Sequence, residues 1–184
     1  MKFGKESAEM RLFTAILLEK SVVESLCAAE AELSRRSAHG NFTRRENLHL
    51  TLNFLGESTR VAAVWQAMEK VSRPAFQLRV KGLGRFRRSG GDLWWAGVEP
   101  CPPLLQLQKE LADGLRTAGF SLEDRDYRPH LTLGREVVLS DGVDPRQLEL
   151  LPETEMRVRR VSLMRSDRLN GRLTYTELFS HPLE

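Results

Sequence analysis

His49-Leu50-Thr51-Leu52 and His130-Leu131-Thr132-Leu133 are two copies of one tetrapeptide, nearly half the chain apart. Successive side chains of a β-strand point to opposite faces, so each copy places its histidine and threonine on one face and its leucines on the other. We expect the leucines in the core and an imidazole beside a hydroxyl on the open face. The repeat therefore predicts an internal duplication, with one active site assembled from two similar halves.

The segments around the two copies predict strands and helices in a mixed order with hairpins, without a regular βαβ alternation. This order is typical of an α+β protein with antiparallel sheets in two pseudo-symmetric lobes with flanking helices. A capping box at Ser21 and Glu24 predicts the start of the first helix, and Asn170-Gly171 predicts a hairpin turn. The remaining predictions are helices from 58 or 59 and at 102–118, strands at 11–18, 76–81, 92–98, 156–165 and 173–179, loops around 39–41 and at 82–91, and a loop or short helix at 141–152.

The composition, 41% hydrophobic and 29% charged, is that of an ordinary soluble globular protein. Cys27 and Cys101 show neither metal-type spacing nor a disulfide framework, which favours reduced thiols and a cytoplasmic location. The apolar run at 12–18 is too short for a membrane span and lacks a cleavage site for a signal peptide. Two arginine clusters are compatible with a polyanionic substrate or with solvated surface charge: Arg85, Arg87 and Arg88, and Arg157, Arg159 and Arg160.

Two histidines on opposite sides of a bound group suit concerted acid–base chemistry, because one can accept a proton while the other donates one near neutral pH. In-line displacement at phosphorus needs attacking and leaving oxygens roughly opposite each other, and a pseudo-symmetric strand pair supplies that geometry. The hydroxyls of Thr51 and Thr132 can donate hydrogen bonds to non-bridging phosphate oxygens. The arrangement requires no metal. A single strand histidine is more often structural, but the repeat with threonine at the same offset favours catalysis.

Two longer segments carry a resemblance to a known family. Asn47-Leu48-His49-Leu50-Thr51-Leu52-Asn53-Phe54-Leu55-Gly56-Glu57 and Arg128-Pro129-His130-Leu131-Thr132-Leu133 resemble the two signatures of the 2H phosphoesterases, and most closely the RNA 2′,3′-cyclic phosphodiesterase (2′-5′ RNA ligase) branch. The likeness runs from about residue 11 to 179. It implies one bilobal domain over residues 1–184, with 1–10 as a flexible tail and a central cleft that carries the four motif side chains.

The resemblance also implies an activity: hydrolysis of terminal RNA 2′,3′-cyclic phosphates to 2′-phosphomonoesters, without metal or other cofactor. It implies that His49 is the proton donor to the departing 3′ oxygen and His130 the proton acceptor from water. Arg135 matches a position where the family carries a phosphate-contacting arginine. The expected partners are RNA ends or nucleotides with a cyclic phosphate, with no membrane and no obligate protein partner.

Three alternatives remain open. The same site can act on another substrate, such as a small cyclic nucleotide, a 2′-5′ oligonucleotide or an ADP-ribose cyclic phosphate. It can also run in reverse as a 2′-5′ RNA ligase. A protein that binds RNA without turnover is the third, although binding alone needs cations more than paired imidazoles.

Overall fold

The computed structural model describes residues 9–148 and 153–184. Within these ranges the chain forms two antiparallel sheets, ordered β3-β1-β8-β9 and β2-β6-β5-β4-β7, with three α-helices. The predicted α+β architecture of two lobes is confirmed. The elements are β1 Met10–Leu17, α1 Lys20–Arg35, β2 Ser37–Phe42, β3 His49–Ser58, α2 Val61–Glu69, β4 Phe76–Phe86, β5 Asp92–Val98, α3 Pro102–Thr117, β6 His130–Leu139, β7 Thr154–Val158, β8 Arg160–Leu169 and β9 Arg172–Pro182, with 3₁₀ turns at Arg45–Asn47 and Pro145–Gln147.

Each sheet draws strands from both halves of the chain, so the lobes are interleaved and not successive. The two motif strands, β3 and β6, belong to different sheets. Their leucines all lie in one hydrophobic core: Leu50, Leu52, Leu131 and Leu133. Burying a leucine fully contributes roughly 2 kcal/mol, which explains why each motif turns its histidine and threonine the other way.

The helices cover this core with apolar stripes. In α3 the buried leucines recur at helical spacing, at Leu104, Leu107, Leu111 and Leu115. The helix begins at Pro102, as predicted, and Gly119 follows its end with a positive φ of 84°. Within the described residues no helix is long and apolar enough to cross a membrane.

The predicted start of α1 is wrong. The helix begins at Lys20 with Glu19 as its N-cap, so Ser21 lies inside the first turn. The N-cap makes no side-chain hydrogen bond, and no capping box forms. The predicted start of α2 at 58 or 59 is also early, because the helix begins at Val61.

The predicted strands need three corrections. The region around His39 is not a loop but the edge strand β2, which pairs with β6. Strand β4 continues to Phe86, so only the second half of the predicted 82–91 loop joins strands. The predicted strand 156–165 is divided at Arg159 into β7 and β8, which lie in different sheets. The predicted turn is confirmed, since Asn170 and Gly171 both have positive φ and close the β8–β9 hairpin.

Two predictions concern chain that is partly outside the described residues. Residues 1–8 of the predicted tail lie there, and β1 already begins at Met10. Residues 149–152 of the predicted 141–152 connection lie there as well. A single domain over 1–184 stays a prediction.

Glu30 on α1 predicts a pH-dependent stability. Its Oε2 atom is buried without a hydrogen-bond partner among the described residues, and burial raises the pKa of the carboxyl to about 7. The folded-state pKa of Glu30 exceeds its unfolded-state pKa. Its contribution to the free energy of unfolding is therefore complete below about pH 4.5, where the carboxyl is neutral, and is lost as the pH rises through about 7 and the buried carboxyl ionises. We expect Glu30→Gln to raise the free energy of unfolding at pH 8 by about 1 kcal/mol, a value discounted for partial exposure.

Urea unfolding at pH 5 and pH 8 checks this expectation. The matched control is Glu69→Gln, at an exposed position of α2, which should change stability equally little at both pH values. Wild-type stability that does not fall between pH 5 and 8, together with no gain from Glu30→Gln, would contradict it.

Candidate active site

The two motif histidines occupy equivalent places in the fold. His49 is the first residue of β3 and His130 the first of β6, and these strands approach each other across the two sheets. Burial is the main cause that lowers the pKa of His49, and the charge of His130 is a smaller cause in the same direction, so the two rings are within electrostatic reach of each other. The side chains of His49, Thr51, His130 and Thr132 are all half-buried. The predicted residues are thus brought together with part of each open to solvent.

His49 is held on both ring nitrogens. Its Nδ1 donates to the Asn47 carbonyl oxygen at 2.7 Å, and its Nε2 lies 2.9 Å from Oγ1 of Thr51. A carbonyl can only accept, so the Nδ1 carries a hydrogen and Nε2 is the nitrogen that exchanges a proton. The ring packs against Phe13 at 4.9 Å and stands perpendicular to Tyr175 at 5.1 Å between ring centres. These contacts fix the direction of Nε2.

His130 repeats this arrangement with one difference. Its Nδ1 donates to the Arg128 carbonyl oxygen at 2.7 Å, and the ring packs edge-on against Phe86 at 5.5 Å and beside Trp95 at 6.3 Å. Among the described residues, however, its Nε2 has no hydrogen-bond partner. The tautomer is therefore the same as that of His49, but the reactive nitrogen of His130 is open.

Gly84 makes room for the aromatic support of His130. A Cβ atom at this position would lie 2.2 Å from the ring of Trp95, and β4 pairs Gly84 directly with Trp95. Gly84 was predicted to lie in the 82–91 loop, whereas it lies within strand β4. Its missing side chain serves a close approach of an indole ring.

Burial and neighbouring cations favour the neutral form of both imidazoles. Burial lowers the pKa of His49 and of His130 below the ordinary 6.5; the carbonyl hydrogen bonds oppose this, and the positive charge of Arg135 adds to the lowering in both. An anion bound between the histidines would act in the other direction, because its negative charge favours an imidazolium. Binding of an anion there would therefore favour uptake of a proton by the histidines.

Each motif carries a β-bulge at its last leucine. Thr51 and Asn53 face consecutive residues of β1, which leaves Leu52 as an extra residue; likewise Thr132 and Gly134 face consecutive residues of β5, which leaves Leu133. An extra residue reverses the alternation that follows it. The bulges therefore account for two side chains on the site face that strict alternation places on the other, Phe54 and Arg135, each five residues after its histidine.

Arg135 lies within electrostatic reach of both motif histidines, and its predicted contact with phosphate stays a prediction. Its side chain is exposed and makes no hydrogen bond or ion pair with any described residue. Burial is the main cause that lowers the pKa of His49 and of His130, and the charge of Arg135 adds to the lowering in both. An unpaired guanidinium beside two imidazoles is suited to bind a phosphate oxygen.

No role in the site was predicted from the sequence for Phe13, Phe54 or Tyr175. Phe54 is 52% exposed and its ring centre lies 6.1 Å from that of Phe13, which in turn contacts His49. Phe13 and Tyr175 come from strands far from β3 in sequence, and only the sheet order β3-β1-β8-β9 brings them together. Phe54 lies on the site face because of the bulge at Leu52, which arises from the pairing of β3 with β1 and not from the local sequence.

Within residues 9–148 and 153–184, no group of three or more histidine, cysteine, aspartate or glutamate side chains is placed to hold a metal ion.

The comparison with known families agrees with the motifs. The family model of the 2′-5′ RNA ligase superfamily matches residues 22–170, a range that includes both histidine motifs. This chain belongs to the 2′-5′ RNA ligase superfamily. The predicted membership in the 2H phosphoesterases is therefore confirmed.

Relatives and solved structures of the superfamily cover most of the chain. The RNA 2′,3′-cyclic phosphodiesterase of Thermotoga maritima is 34% identical over 131 residues, covering 68% of this chain and 70% of the relative. That of Methanothermobacter thermautotrophicus is 30% identical over 182 residues, covering 92% and 97%. The apo structure of Escherichia coli LigT superimposes with a TM-score of 0.80 at 28% identity, covering 96% of this chain and 99% of LigT.

Proposed function

We propose that this protein hydrolyses the 2′,3′-cyclic phosphate at RNA ends to a 2′-phosphomonoester by acid–base catalysis with His49 and His130, without a metal ion. The observation that carries the proposal is the pair of histidine–threonine motifs close to Arg135, whose side chain has no partner among the described residues. Both histidines are in the Nδ1–H tautomer. Relatives named RNA 2′,3′-cyclic phosphodiesterase support the reaction. A LigT structure complexed with 3′-AMP, at 29% identity, supports a nucleotide ligand.

In the proposed step His130 acts as the base. Its open Nε2 accepts a proton from a water molecule, whose oxygen forms the new bond to phosphorus. The bond between phosphorus and the 3′ oxygen breaks, and protonated His49 gives its Nε2 hydrogen to that oxygen. One water is consumed, the products are a 2′-phosphomonoester and a 3′ hydroxyl, and both histidines return to their starting states by exchange with solvent.

The contacts of the two rings favour this assignment over its reverse. A base needs a free lone pair, and Nε2 of His130 makes no hydrogen bond with a described residue, whereas that of His49 is paired with Thr51. When His49 is protonated, its Nε2 can no longer accept the hydroxyl hydrogen of Thr51, so that hydrogen is free to turn to a phosphate oxygen and the Nε2 hydrogen is available to the 3′ oxygen. Protonation of the acid and binding of the anion are thereby linked.

The test is an assay of the purified protein with EDTA on a short RNA that ends in a 2′,3′-cyclic phosphate, in parallel with the same RNA ending in a 3′-phosphate. Conversion of the cyclic end to a 2′-phosphomonoester supports the proposal. Tight binding of both RNAs without turnover would replace it by the RNA-binding alternative. Faster turnover of a mononucleoside cyclic phosphate, a 2′-5′ dinucleotide or an ADP-ribose cyclic phosphate would move the substrate to a small nucleotide.

The lowered histidine pKa values predict an acidic rate optimum. A reaction that needs one protonated and one neutral histidine gives a bell-shaped profile of kcat/KM, centred between the two pKa values of the free enzyme. Because burial lowers both below 6.5, we expect the maximum on the acid side of pH 6.5. The measurement is kcat/KM from pH 4 to 9 (about five units, wide enough for both limbs) at constant ionic strength. A maximum above pH 7 would contradict the expectation.

A further inference from the structure

The segment between α3 and β6 reaches from one motif to the other through Tyr127. Its hydroxyl donates to the backbone carbonyl oxygen of Thr51 at 2.8 Å. Thr51 lies in β3, which belongs to a different sheet from β6. Thr51 directly precedes the bulged Leu52. The ring of Tyr127 is packed against the core that both sheets share. A side chain next to the second motif thus holds the backbone of the first.

The next residue along the chain completes the connection. The carbonyl of Arg128 accepts the hydrogen bond from Nδ1 of His130 and so fixes the tautomer and direction of its ring. Thr51 is therefore linked to His130 in two steps. Tyr127 bonds to the Thr51 carbonyl, and the adjacent Arg128 bonds through its own carbonyl to the His130 ring. Both ends carry groups that the proposed reaction uses.

We propose that Tyr127 is a positioning residue that sets the spacing of the two histidine motifs through its bond to the Thr51 carbonyl. The inference rests on the proposed function only for its effect on turnover. Tyr127 touches neither the reacting atoms nor an imidazole in the described contacts, so its hydroxyl should matter for rate and not for substrate capture. Small displacements of reacting groups are costly, since about 1 Å can lower a rate 100-fold.

The test is Tyr127→Phe, which removes the hydroxyl and keeps the ring in the core. We expect kcat on the cyclic-phosphate RNA to fall about tenfold with KM changed less than about twofold. The matched control is Ser37→Ala, because the Ser37 hydroxyl also donates to a backbone carbonyl, that of Leu33 at 2.7 Å. Ser37 pairs with Leu139 at the far end of β6, and its variant should retain wild-type kcat.

A second readout does not depend on turnover. Nitrogen chemical shifts of the imidazoles report the tautomer, and in the wild type we expect His49 and His130 in the Nδ1–H form. Tyr127→Phe should give His130 a mixed tautomer, because the Arg128 carbonyl is no longer held in place, while His39 and His181 serve as internal references. An unchanged His130 signature with unchanged kcat overturns the inference, as does an equal fall of kcat in Ser37→Ala. If the wild type has no turnover while Tyr127→Phe still changes the tautomer of His130, the proposed function is refuted and the positioning role stands.

Discussion

His49→Ala and His130→Ala are each expected to lower kcat on an RNA cyclic phosphate by about 1,000-fold, the range that a positioned proton-transfer group contributes. Each ring is fixed by a carbonyl hydrogen bond and two aromatic contacts, and alanine leaves nothing in its place to exchange a proton. The double variant should be little worse than the poorer single variant, because the two groups act in one step. Rates measured under single-turnover conditions give the comparison.

The control is His39→Ala, at an exposed histidine of β2, which should retain wild-type kcat. A fall of less than about tenfold in either motif variant would remove that histidine from the proposed chemistry. Multiplicative losses in the double variant would show that the two rings contribute to separate steps.

The same variants distinguish the acid from the base. A substrate whose leaving oxygen is a 4-nitrophenolate hardly needs a proton donor, since this group leaves as a stable anion. If His49 is the donor, His49→Ala should recover most of its lost rate on such a substrate, while His130→Ala remains impaired. Recovery by His130→Ala instead would reverse the assignment.

The core of the fold followed from local patterns, but its edges did not. The leucines of both motifs were predicted in the interior because alternation and burial agree there. Strand β2 was missed since Ser37–Phe42 is polar and contains a glycine; its pairing with β6, almost 100 residues later, overrides that preference. The break at Arg159 was equally invisible, because both flanking segments alternate like strands and only the sheet order separates them.

The site shows the same division between local and long-range information. The four motif side chains could be predicted from their spacing alone. Arg135 came only from the family resemblance, because the bulge that accounts for its place follows from pairing with β5. The bond from Tyr127 to Thr51 joins two sheets through the side chain of an irregular segment, and no local pattern encodes such a contact.

Thr132→Val and Thr51→Val are expected to lower kcat by about 100-fold each, as for loss of one donor to a developing oxyanion. Valine keeps the shape and strand preference of threonine, so the sheet is retained and only the hydroxyl is lost. The two variants should differ in pH dependence. Thr51 is bonded to Nε2 of His49, so its loss should also shift the limb of the kcat/KM profile that His49 governs, whereas Thr132 makes no such bond among the described residues and its loss should leave the profile in place.

Serine variants and a remote valine separate these effects from general damage. Thr51→Ser and Thr132→Ser keep the hydroxyl and should recover most of the rate, although serine has more rotamer freedom than threonine. Thr154→Val, at a half-buried threonine on the edge strand β7, should be as active as the wild type. If the serine variants are as slow as the valine ones, the methyl group and not the hydroxyl is what the site requires, and phosphate stabilisation by these threonines is refuted. Equal pH shifts in both valine variants would show that the bond between Thr51 and His49 does not control protonation of the acid.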